Sequence, residues 1–422
     1  MGLEQYQGDM AMCCRCSACK FIPMQKVQGA KYSYVCPSIA RYNFHAYSGG
    51  GRLNIANWML KNGFNYTEKL LDIVKNCQMC GACGVSCNYA MDMEVLEPIQ
   101  EFRIKTVEDG HTVPALDKVI ENLRKNDAMV AGGRTQRGSW AKGLKLKDAT
   151  TDRVDVYYHV GCLTSFDKNM WKLAQSTARI LEKAGVNFGI AGATEICCGG
   201  RAYQMGYRED FLNQAKKNME LIKKSGAKTL VTGCADCYQA FKVLYDKYNL
   251  KGDLEVLHTT EYFDRLIKEG RLKPSRKVDL SITYHDPCRL GRLGEPWIHW
   301  SGKKIPGDRF VFDPPKIYRR GTNGVYEPPR EVLNSIPGVK LTEMVRIKEY
   351  AWCCGAGGGV SESNPDFALW TARERIDEAV STGAQAMVTA CPWCEKTFNE
   401  AIKSSGNNLK VYDVVELLEQ AI

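Results

Sequence analysis

The chain has 422 residues, 44% of them hydrophobic, so it is long enough for two or three domains and is not disordered or fibrous. No apolar run approaches the roughly 18 residues of a membrane span, and the N-terminus lacks a secretion signal pattern. A cytoplasmic location is therefore expected, with any membrane contact made through a partner. The 19 cysteines are odd in number and clustered, which favours metal ligands over a disulfide framework.

The formal charge is +9, from 57 Lys and Arg against 48 Asp and Glu. Such a basic excess normally suggests binding to nucleic acid or to an anionic membrane. Cysteines bind metal as thiolates, however, and the negative charge of thiolate-held clusters would cancel most of this excess. We therefore interpret the basic residues as counter-charge for metal clusters, and nucleic acid is not expected as a partner.

The first 110 residues are predicted to be helical, with cysteines in the loops between helices. Helices are predicted over 54–61, 67–76 and 94–108, and the segment contains no convincing strand. The first cysteine set is Cys13, Cys16, Cys19 and Cys36, and the second is Cys77, Cys80, Cys83 and Cys87. The second set has the spacing that holds three irons of a 4Fe-4S cube in one loop and sends the fourth cysteine to another cube.

A crossover of ligands, as in two-cluster ferredoxins, would join Cys87 to the first triplet and Cys36 to the second. Two features depart from the usual motif: the spacer before Cys36 is long, and Asn88 replaces the proline that usually follows the last cysteine. Cys14 interrupts the first triplet and is interpreted as a buried non-ligand, with exchange for Cys13 as the alternative. Structural zinc at the CxxC pairs is the alternative for both sets.

Residues 111–152 are predicted to be a linker, and beyond them one cysteine pattern occurs twice: a single cysteine, an adjacent pair and a CxxC. The first copy contains Cys162, Cys197, Cys198, Cys234 and Cys237, and the second contains Cys288, Cys353, Cys354, Cys391 and Cys394. The offset between copies grows from 126 to 157 residues. The pattern indicates an internal duplication, with copies over 153–277 and 278–422 and an insertion over 295–326 in the second.

Each copy is predicted to be an α/β unit with parallel strands and crossover helices. A β-branched and aromatic run precedes each single cysteine, at 154–160 and 278–284, and a second strand at 229–232 or 386–389 leads into each CxxC. The cysteines therefore lie beyond strand ends, where open α/β sheets bind ligands. The fold class is α plus α/β: a helical two-cluster ferredoxin domain followed by two duplicated units, which are expected to fold separately from it.

Each five-cysteine set exceeds the four thiolates that complete a cubane cluster, so one thiolate is either spare or bridges two irons. The adjacent Cys353 and Cys354 cannot easily reach two corners of a cube from a regular strand. The glycines that follow them in CCGAGGG allow positive φ and a close approach to metal. The same run lacks the full strand, GxGxxG and helix context of a dinucleotide site. Zinc on the CxxC pairs is again the alternative.

His159 and His285 each stand three residues before a single cysteine, at predicted strand ends. They are candidate catalytic proton donors beside a cluster, and the alternative is a pair of structural core histidines.

The insertion 295–326 is expected to be an exposed loop that docks a partner, or else a surface flap, and to be dispensable for folding. Its aromatic and basic residues include Trp297, Trp300, Phe310, Phe312, Lys303, Lys304, Arg319 and Arg320.

These motifs resemble the CCG-domain family, specifically the HdrD-type subunit of heterodisulfide reductase, in which an HdrC-like ferredoxin domain is fused to an HdrB-like double CCG domain. The resemblance covers nearly the whole chain, including TYHDPCRLGR (283–292) and NSIPGVKLTEM (334–344), and departs at the insertion and the widened first motif. It implies that each five-cysteine set holds a non-cubane 4Fe-4S cluster. The chain would then bind two cubane and two non-cubane 4Fe-4S clusters.

The resemblance also implies an oxidoreductase subunit with two possible roles. One is electron transfer within a multi-subunit anaerobic oxidoreductase, of the class II benzoyl-CoA reductase or sulfate-reducer membrane type. Its partners would be an HdrA-like flavoprotein or a membrane cytochrome or quinone subunit. The other is catalytic reduction of a thiol heterodisulfide at two facing non-cubane clusters. The departures from the family favour the first role, and a zinc scaffold without redox function is the remaining alternative.

Overall fold

The N-terminal part of the chain consists of short helices connected by loops. The computed structural model describes residues 2–307 and 311–422, and none of the helices it describes is long and apolar enough to cross a bilayer. The helices are α1 (Gln7–Met12), α2 (Pro37–Tyr42), α3 (Gly49–Asn62), α4 (Glu68–Lys75), α5 (Ala82–Met91) and α6 (Leu96–Glu108). The helices predicted over 54–61, 67–76 and 94–108 correspond to α3, α4 and α6, which confirms the helical prediction here.

The first α/β unit is built on a parallel sheet. Its strands are β1 (Lys147–Asp148), β2 (Val156–His159), β3 (Phe188–Ile190), β4 (Thr229–Thr232) and β5 (Glu255–His258). Within residues 2–307 the strand order is β1-β3-β2-β4-β5, and every pairing is parallel. After β2 the chain adds one strand on each side, so the end of β2, which leads to Cys162, lies at the switch point where such sheets bind ligands.

Helices cover this sheet and connect its strands. They are α7 (Pro114–Asn126), α8 (Cys162–Phe166), α9 (Trp171–Lys183), α10 (Gly200–Met205), α11 (Arg208–Ser225), α12 (Ala235–Gln239), α13 (Tyr245–Lys247) and α14 (Thr259–Lys268). A π-helical turn over Ala240–Leu244 joins α12 to α13. The segment 111–152, predicted as a linker, thus contains α7 and the edge strand β1. Leu116, Ile120 and Leu123 of α7 are buried against Met205 of α10, so this segment contributes to the first unit's core.

The second α/β unit repeats the first sheet without its edge strand. Its strands are β6 (Leu280–His285), β9 (Val339–Leu341), β10 (Ala386–Thr389) and β11 (Lys410–Asp413), and a separate hairpin is formed by β7 (Lys303–Lys304) and β8 (Phe312–Asp313). The parallel order of the described strands is β11-β10-β6-β9, which matches β5-β4-β2-β3 of the first sheet. The matching order bears out the predicted fold class of two duplicated α/β units.

The helices of the second unit also join it to the first. They are α15 (Glu327–Asn334), α16 (Val360–Ser363), α17 (Pro365–Val380), α18 (Pro392–Ser405) and α19 (Val414–Ala421). Helix α9 packs on α19, and α14 packs on α15. One apolar core runs through both sheets, so the two units form a single packed body.

The insertion 295–326 is more tightly integrated than the sequence predicts. Glu295 is buried and accepts a hydrogen bond from Asn323 Nδ2 at 2.9 Å. The ring centroid of Trp297 lies 4.7 Å from Lys247 Nζ and 4.5 Å from Arg319 Cζ, so the ring contacts two cations. Both ends of the segment are therefore packed against the rest of the chain, whereas the β7–β8 hairpin lies apart from both sheets. That the insertion is dispensable for folding stays a prediction. Residues 308–310, including Phe310, lie outside the described residues.

Asn88, a departure from the usual ferredoxin motif, contacts the insertion 295–326. Asn88, which stands in place of the usual proline, donates from Nδ2 to the carbonyl of Arg319 at 2.8 Å. Its own carbonyl accepts from Arg320 at 2.9 Å. Proline offers no side-chain donor, so the insertion and this asparagine form one interface between the ferredoxin-like part and the second unit.

Arg103 on α6 joins all three parts of the chain. Its guanidinium donates to the carbonyl of Cys77 at 3.0 Å, of Gln204 in the first unit at 3.1 Å, and of Gly358 in the second unit at 2.6 Å. The N-terminal part therefore packs directly on both α/β units, through contacts between residues far apart in the chain that sequence spacing does not reveal. That its cysteines belong to a separate folding unit stays a prediction.

The glycine run after Cys354 brings the backbone of the second unit close to the backbone of the ferredoxin loop. Gly358 has φ of +65°, and a Cβ placed there would clash with the carbonyl oxygen of Cys77. A Cβ at Gly357 would clash in the same way with the carbonyl oxygen of Gln78. These glycines therefore allow the second unit to pack on the ferredoxin loop. The sequence alone predicts a different role for them, a close approach to metal.

Gly358→Ala is expected to lower the free energy of unfolding more than Gly383→Ala. Both positions have positive φ, which costs alanine about 1–2 kcal/mol. Only Gly358 faces a backbone oxygen, and this overpacking adds about 1–3 kcal/mol; Gly383 has no atom within 4 Å of the added Cβ. Denaturant unfolding of both variants tests the prediction. Equal losses of stability would show that the close approach is unimportant.

Candidate metal centres

The first triplet of cysteines and Cys87 line one small cavity. Its walls include Cys13, Cys14, Cys16, Cys19, His45, Gly50 and Cys87, and its empty volume is about 350 Å³. The crossed combination expected for a two-cluster ferredoxin is therefore brought together. Asn54 Nδ2 lies 3.4 Å from Cys13 Sγ, and the amide of Gly50 donates to Cys19 Sγ at 3.3 Å. Such N–H donors stabilise thiolates that hold a metal.

Cys14 lies at the surface rather than in the core. It is exposed, as is Cys16, although it also lines the first cavity. The interpretation of Cys14 as a buried residue is therefore wrong. The hydrogen bond from Asn54 reaches Cys13, which favours Cys13 over Cys14 as the residue that could hold a metal.

Glycines at the start of α3 make room for the sulfur atoms. A Cβ at Gly50 would lie 3.1 Å from Cys13 Sγ, and one at Gly49 would lie 3.0 Å from Cys83 Cβ. Glycine is unfavourable in a helix interior by roughly 1 kcal/mol relative to alanine. Ser48 compensates in part, because its hydroxyl accepts a capping hydrogen bond from the amide of Gly51 at 3.0 Å. The helix therefore starts between the two cysteine sets with no side chain in the way.

The second triplet and Cys36 line another cavity, with an empty volume of about 340 Å³. Its walls include Cys36, Gly49, Arg52, Cys77, Gln78, Cys80, Gly81 and Cys83. Burial raises the pKa of the Cys36 thiol to about 12, and the nearby Arg52 opposes this effect. Four convergent sulfur atoms with backbone and arginine donors around them suit a 4Fe-4S cluster.

Unpartnered cations around this cavity also fit an anionic group. Lys75 is buried and its Nζ has no hydrogen-bond partner in the described structure; burial lowers its pKa to about 7, and the nearby carboxylate of Asp117 opposes this effect. Arg103 Nε and Arg292 Nη2 are likewise buried without a partner among the described residues. Cations left in this state are costly unless an anion lies nearby. A cysteine-ligated iron-sulfur cluster carries net negative charge and would supply that anion.

The five cysteines of the first α/β unit form a series of thiol contacts. In order, Cys162 contacts Cys197, which contacts Cys198, then Cys237, then Cys234. The second unit has the equivalent series Cys288, Cys353, Cys354, Cys394 and Cys391. All ten are buried except Cys288, which is partly exposed. The duplication therefore reproduces the arrangement of side chains as well as the fold.

The middle cysteine of each series has a lowered pKa. Hydrogen bonds from Cys197 and Cys237 lower the pKa of the Cys198 thiol to about 5. The equivalent contacts with Cys353 and Cys394 lower the pKa of Cys354 well below its usual value. In each set the surrounding thiols therefore favour the thiolate at the middle cysteine, which is the form that binds metal.

The two five-cysteine sets meet at Cys234 and Cys391, the first cysteine of each CxxC. Their sulfur atoms and a carboxylate oxygen of Asp236 all lie within 4.8 Å of one another. These two cysteines occupy equivalent positions of the duplication. The sets therefore face each other directly.

The second five-cysteine set also contacts the ferredoxin-like part. Cys80 and Cys353 are within hydrogen-bond reach, and this contact lowers the pKa of the Cys80 thiol to about 5. Gly81 packs on Leu293, and a Cβ at Gly81 would lie 2.5 Å from that side chain. Three cysteine groups are thus connected in order: the second ferredoxin set, the second five-cysteine set and the first five-cysteine set.

Sequence reasoning missed a buried ion pair at the first five-cysteine set. Arg137 donates to Glu195 at 3.0 Å and also lies 3.5 Å from Cys162 Sγ. Glu195 in turn accepts from the amides of Val160 and Gly161 at 2.7 and 3.0 Å. Arg137 lies in the Gly-rich stretch of the predicted linker. Its positive charge was the only feature of the sequence there that could have indicated a role beside a cysteine set.

The two candidate histidines occupy different surroundings. His285 lies within 4.8 Å of the sulfur atoms of Cys354 and Cys394, and its Nδ1 accepts from Arg375 at 3.1 Å. His159 packs edge-on against Phe241, with Nδ1 3.8 Å from Glu195. Burial lowers the pKa of both imidazoles, to about 4 for His159. Both rings are therefore neutral at pH 7.

The fold and the repeated cysteine pattern define a CCG-domain iron-sulfur protein. The family described as the cysteine-rich CCG domain matches residues 156–242 and 310–399. The chain is 33% identical over 369 residues to the HdrD subunit of the dihydromethanophenazine:CoB–CoM heterodisulfide reductase of Methanosarcina mazei, covering 84% of this chain and 79% of that protein. The chain belongs to the HdrD family of heterodisulfide reductase subunits, and it is an iron-sulfur oxidoreductase subunit.

Two further comparisons are more distant. The EtfAB:quinone oxidoreductase of Syntrophomonas wolfei is 28% identical over 367 residues, covering 83% of this chain and 47% of that protein. The crystal structure of a hypothetical protein from Helicobacter pylori is similar with a TM-score of 0.52 at 13% identity, covering 89% of this chain and 67% of that chain. At that identity the likeness establishes the fold alone.

Proposed function

We propose that this chain is an electron-transfer subunit of a multi-subunit oxidoreductase of the heterodisulfide reductase type. It would hold two cubane 4Fe-4S clusters on the crossed ferredoxin sets and two non-cubane 4Fe-4S clusters on the five-cysteine sets. The supporting observation is that two contacts, Cys80–Cys353 and Cys234–Cys391, join the second ferredoxin set to the second five-cysteine set and that set to the first five-cysteine set. When bound, these clusters would supply one-electron oxidation and reduction.

The residues of the chain would order and shield these groups. Cys16 of the first ferredoxin set is exposed, and so is the neighbouring Cys14. This set therefore offers the place where an external redox partner could approach. Nine of the ten cysteines in the five-cysteine sets are buried, and only Cys288 is partly exposed, which suits internal transfer. A partner such as a flavoprotein or a membrane cytochrome or quinone subunit is consistent with the names of the relatives, which are reductase subunits and a quinone oxidoreductase.

Reduction of a thiol heterodisulfide is the second candidate function. It is favoured by the similarity to a heterodisulfide reductase subunit and by the direct approach of the two complete five-cysteine sets at Cys234 and Cys391. In that role His159 and His285 would be the proposed proton donors, and His285 is the one beside cysteine sulfur atoms. The burial of Cys234 and Cys391 argues against ready access by a disulfide substrate.

Dye-driven turnover of the isolated, anaerobically purified chain separates the two functions. An electron-transfer subunit is expected to show no sustained reduction of a thiol heterodisulfide, and added thiols are expected to leave the paramagnetic spectra of the five-cysteine sets unchanged. Sustained turnover that is lost in Cys162→Ala or Cys288→Ala but kept in Cys14→Ala would contradict the first function and establish the second. Cys14→Ala is the matched control because it removes an exposed cysteine outside the five-cysteine sets.

A further inference from the structure

Three buried arginines surround the Cys36, Cys77, Cys80 and Cys83 group. They are Arg52, Arg103 and Arg292, which are 1%, 0% and 3% exposed. Within the described residues none of them forms an ion pair with a carboxylate, and most of their hydrogen bonds go to backbone carbonyls. The structure thus places three permanent positive charges around one cysteine group without protein anions to balance them.

Each arginine holds a different side of the cysteine loop. Arg52 donates to the carbonyls of Ile73 and Asn76, at 2.9 and 2.7 Å. Arg103 binds the carbonyl of Cys77, as described above. Arg292 donates to the carbonyl of Cys80 at 2.6 Å. The charges therefore approach the loop from α3, from α6 and from the second α/β unit.

A purely structural role does not account for this arrangement. Neutral donors could bind the same carbonyls without placing charge in a site closed to water, where unbalanced ions are costly. The buried Arg103 Nε and Arg292 Nη2 have no partner in the described part of the chain, so part of each guanidinium serves no backbone contact. These unused donors indicate an anion at the centre of the group.

The other cysteine groups differ from this one. At the first five-cysteine set, the buried Arg137 is balanced by Glu195 at 3.0 Å. At the first ferredoxin set, Arg15 is exposed and donates to the amide oxygen of Asn54 at 3.2 Å. At the second five-cysteine set, the buried Arg375 is balanced by Glu378 at 2.8 Å, while Arg292 lies between that set and the second ferredoxin set. Compared with these sites, the second ferredoxin set has more buried arginine charge without a carboxylate partner among the described residues.

We propose that Arg52, Arg103 and Arg292 are positioning residues that provide the counter-charge for the cluster of the second ferredoxin set and raise its reduction potential. The inference rests on the proposed function, because it requires a redox cluster on these four cysteines. Reduction adds one negative charge, and nearby positive charge stabilises the reduced state more than the oxidised state. The second set would therefore accept electrons more readily than the same cysteines without the arginines.

Redox titration of the full chain, followed by paramagnetic resonance, tests this proposal. The signal of the second set is identified as the one lost in Cys83→Ser. Arg103→Met is expected to shift the midpoint potential of that signal downward, while Arg103→Lys, which keeps the charge, stays close to the native value. The signal of the first ferredoxin set serves as the internal control and is expected to keep its potential in both variants.

The possible outcomes separate this inference from the proposed function. An unchanged midpoint in Arg103→Met with full iron content would overturn the counter-charge role and leave the electron-transfer function intact. Loss of the cluster in Arg103→Met but not in Arg103→Lys would support the role, because the charge alone then decides retention. Equal loss in both would show that only the guanidinium hydrogen bonds matter and would overturn it. A native chain without iron at the second set would refute the proposed function itself.

Discussion

Cys354→Ala is expected to remove the iron of the second five-cysteine set, about four atoms per chain, while both ferredoxin signals persist. Cys354 is the acidic middle member of its series and contacts Cys353 and Cys394. Replacing it removes the thiolate that links the adjacent pair to the CxxC. Iron analysis and paramagnetic resonance of the anaerobically purified variant provide the measurement.

Cys353→Ala is the informative comparison because Cys353 also contacts Cys80 of the ferredoxin-like part. This variant is expected to lose the same iron and, in addition, to change the signal of the second ferredoxin set. Cys14→Ala is the control and is expected to retain all of the iron. Loss of every cluster in Cys354→Ala would show that the cysteine groups cannot be filled independently. Identical spectra of Cys353→Ala and Cys354→Ala would contradict the Cys80–Cys353 contact.

Removal of iron under reducing conditions is expected to lower the thermal unfolding midpoint by more than about 10 °C. The buried cations around the second ferredoxin set would then face no anion, at a cost of several kcal/mol per ion. In addition, the binding free energy of the metal is lost from the folded state, and each lost kcal/mol lowers the midpoint by roughly 2–4 °C in a large domain. Calorimetry before and after chelation measures the shift.

The control for this experiment is reconstitution with iron and sulfide, which is expected to restore the original midpoint. Chelation also exposes thiols, so the iron-free sample is kept anaerobic and reduced to exclude disulfide formation. An iron-free chain that unfolds at the original temperature would mean that Arg103 and Arg292 are balanced by water or by movement of the loops.

The cysteine grouping could be predicted from the sequence because metal sites require short and regular spacing. The Cys77–Cys87 motif by itself indicates a two-cluster arrangement, and the structure brings Cys87 to the first triplet and Cys36 to the second. The duplicated strands could also be predicted, since each is a short apolar run before a cysteine. These features depend on residues close together in the chain.

The contacts between the parts could not be predicted in the same way. Arg103 and Gly358, or Cys80 and Cys353, lie more than 250 residues apart, and no periodicity connects them. The link between Asn88 and the insertion had a visible signal, because both depart from the family pattern, but their meeting depends on tertiary packing. The buried Arg137–Glu195 ion pair could not be predicted either, because it also depends on tertiary packing.

The start of α3 illustrates how a local rule fails at a site. Helix propensity predicts a start near residue 54, since Gly49, Gly50 and Gly51 are poor helix formers. The helix nevertheless starts at Gly49, because any larger side chain there would meet Cys83, Cys13 or the carbonyl of His45. Space beside the cysteines thus takes precedence over propensity.

Elemental analysis of the native, anaerobically purified chain tests the central claim most directly. Four 4Fe-4S clusters predict about 16 irons per chain with little zinc. A value near eight would mean that the five-cysteine sets lack iron-sulfur clusters, and stoichiometric zinc would indicate a structural scaffold. Either result would contradict the proposal that all four cysteine groups take part in electron transfer.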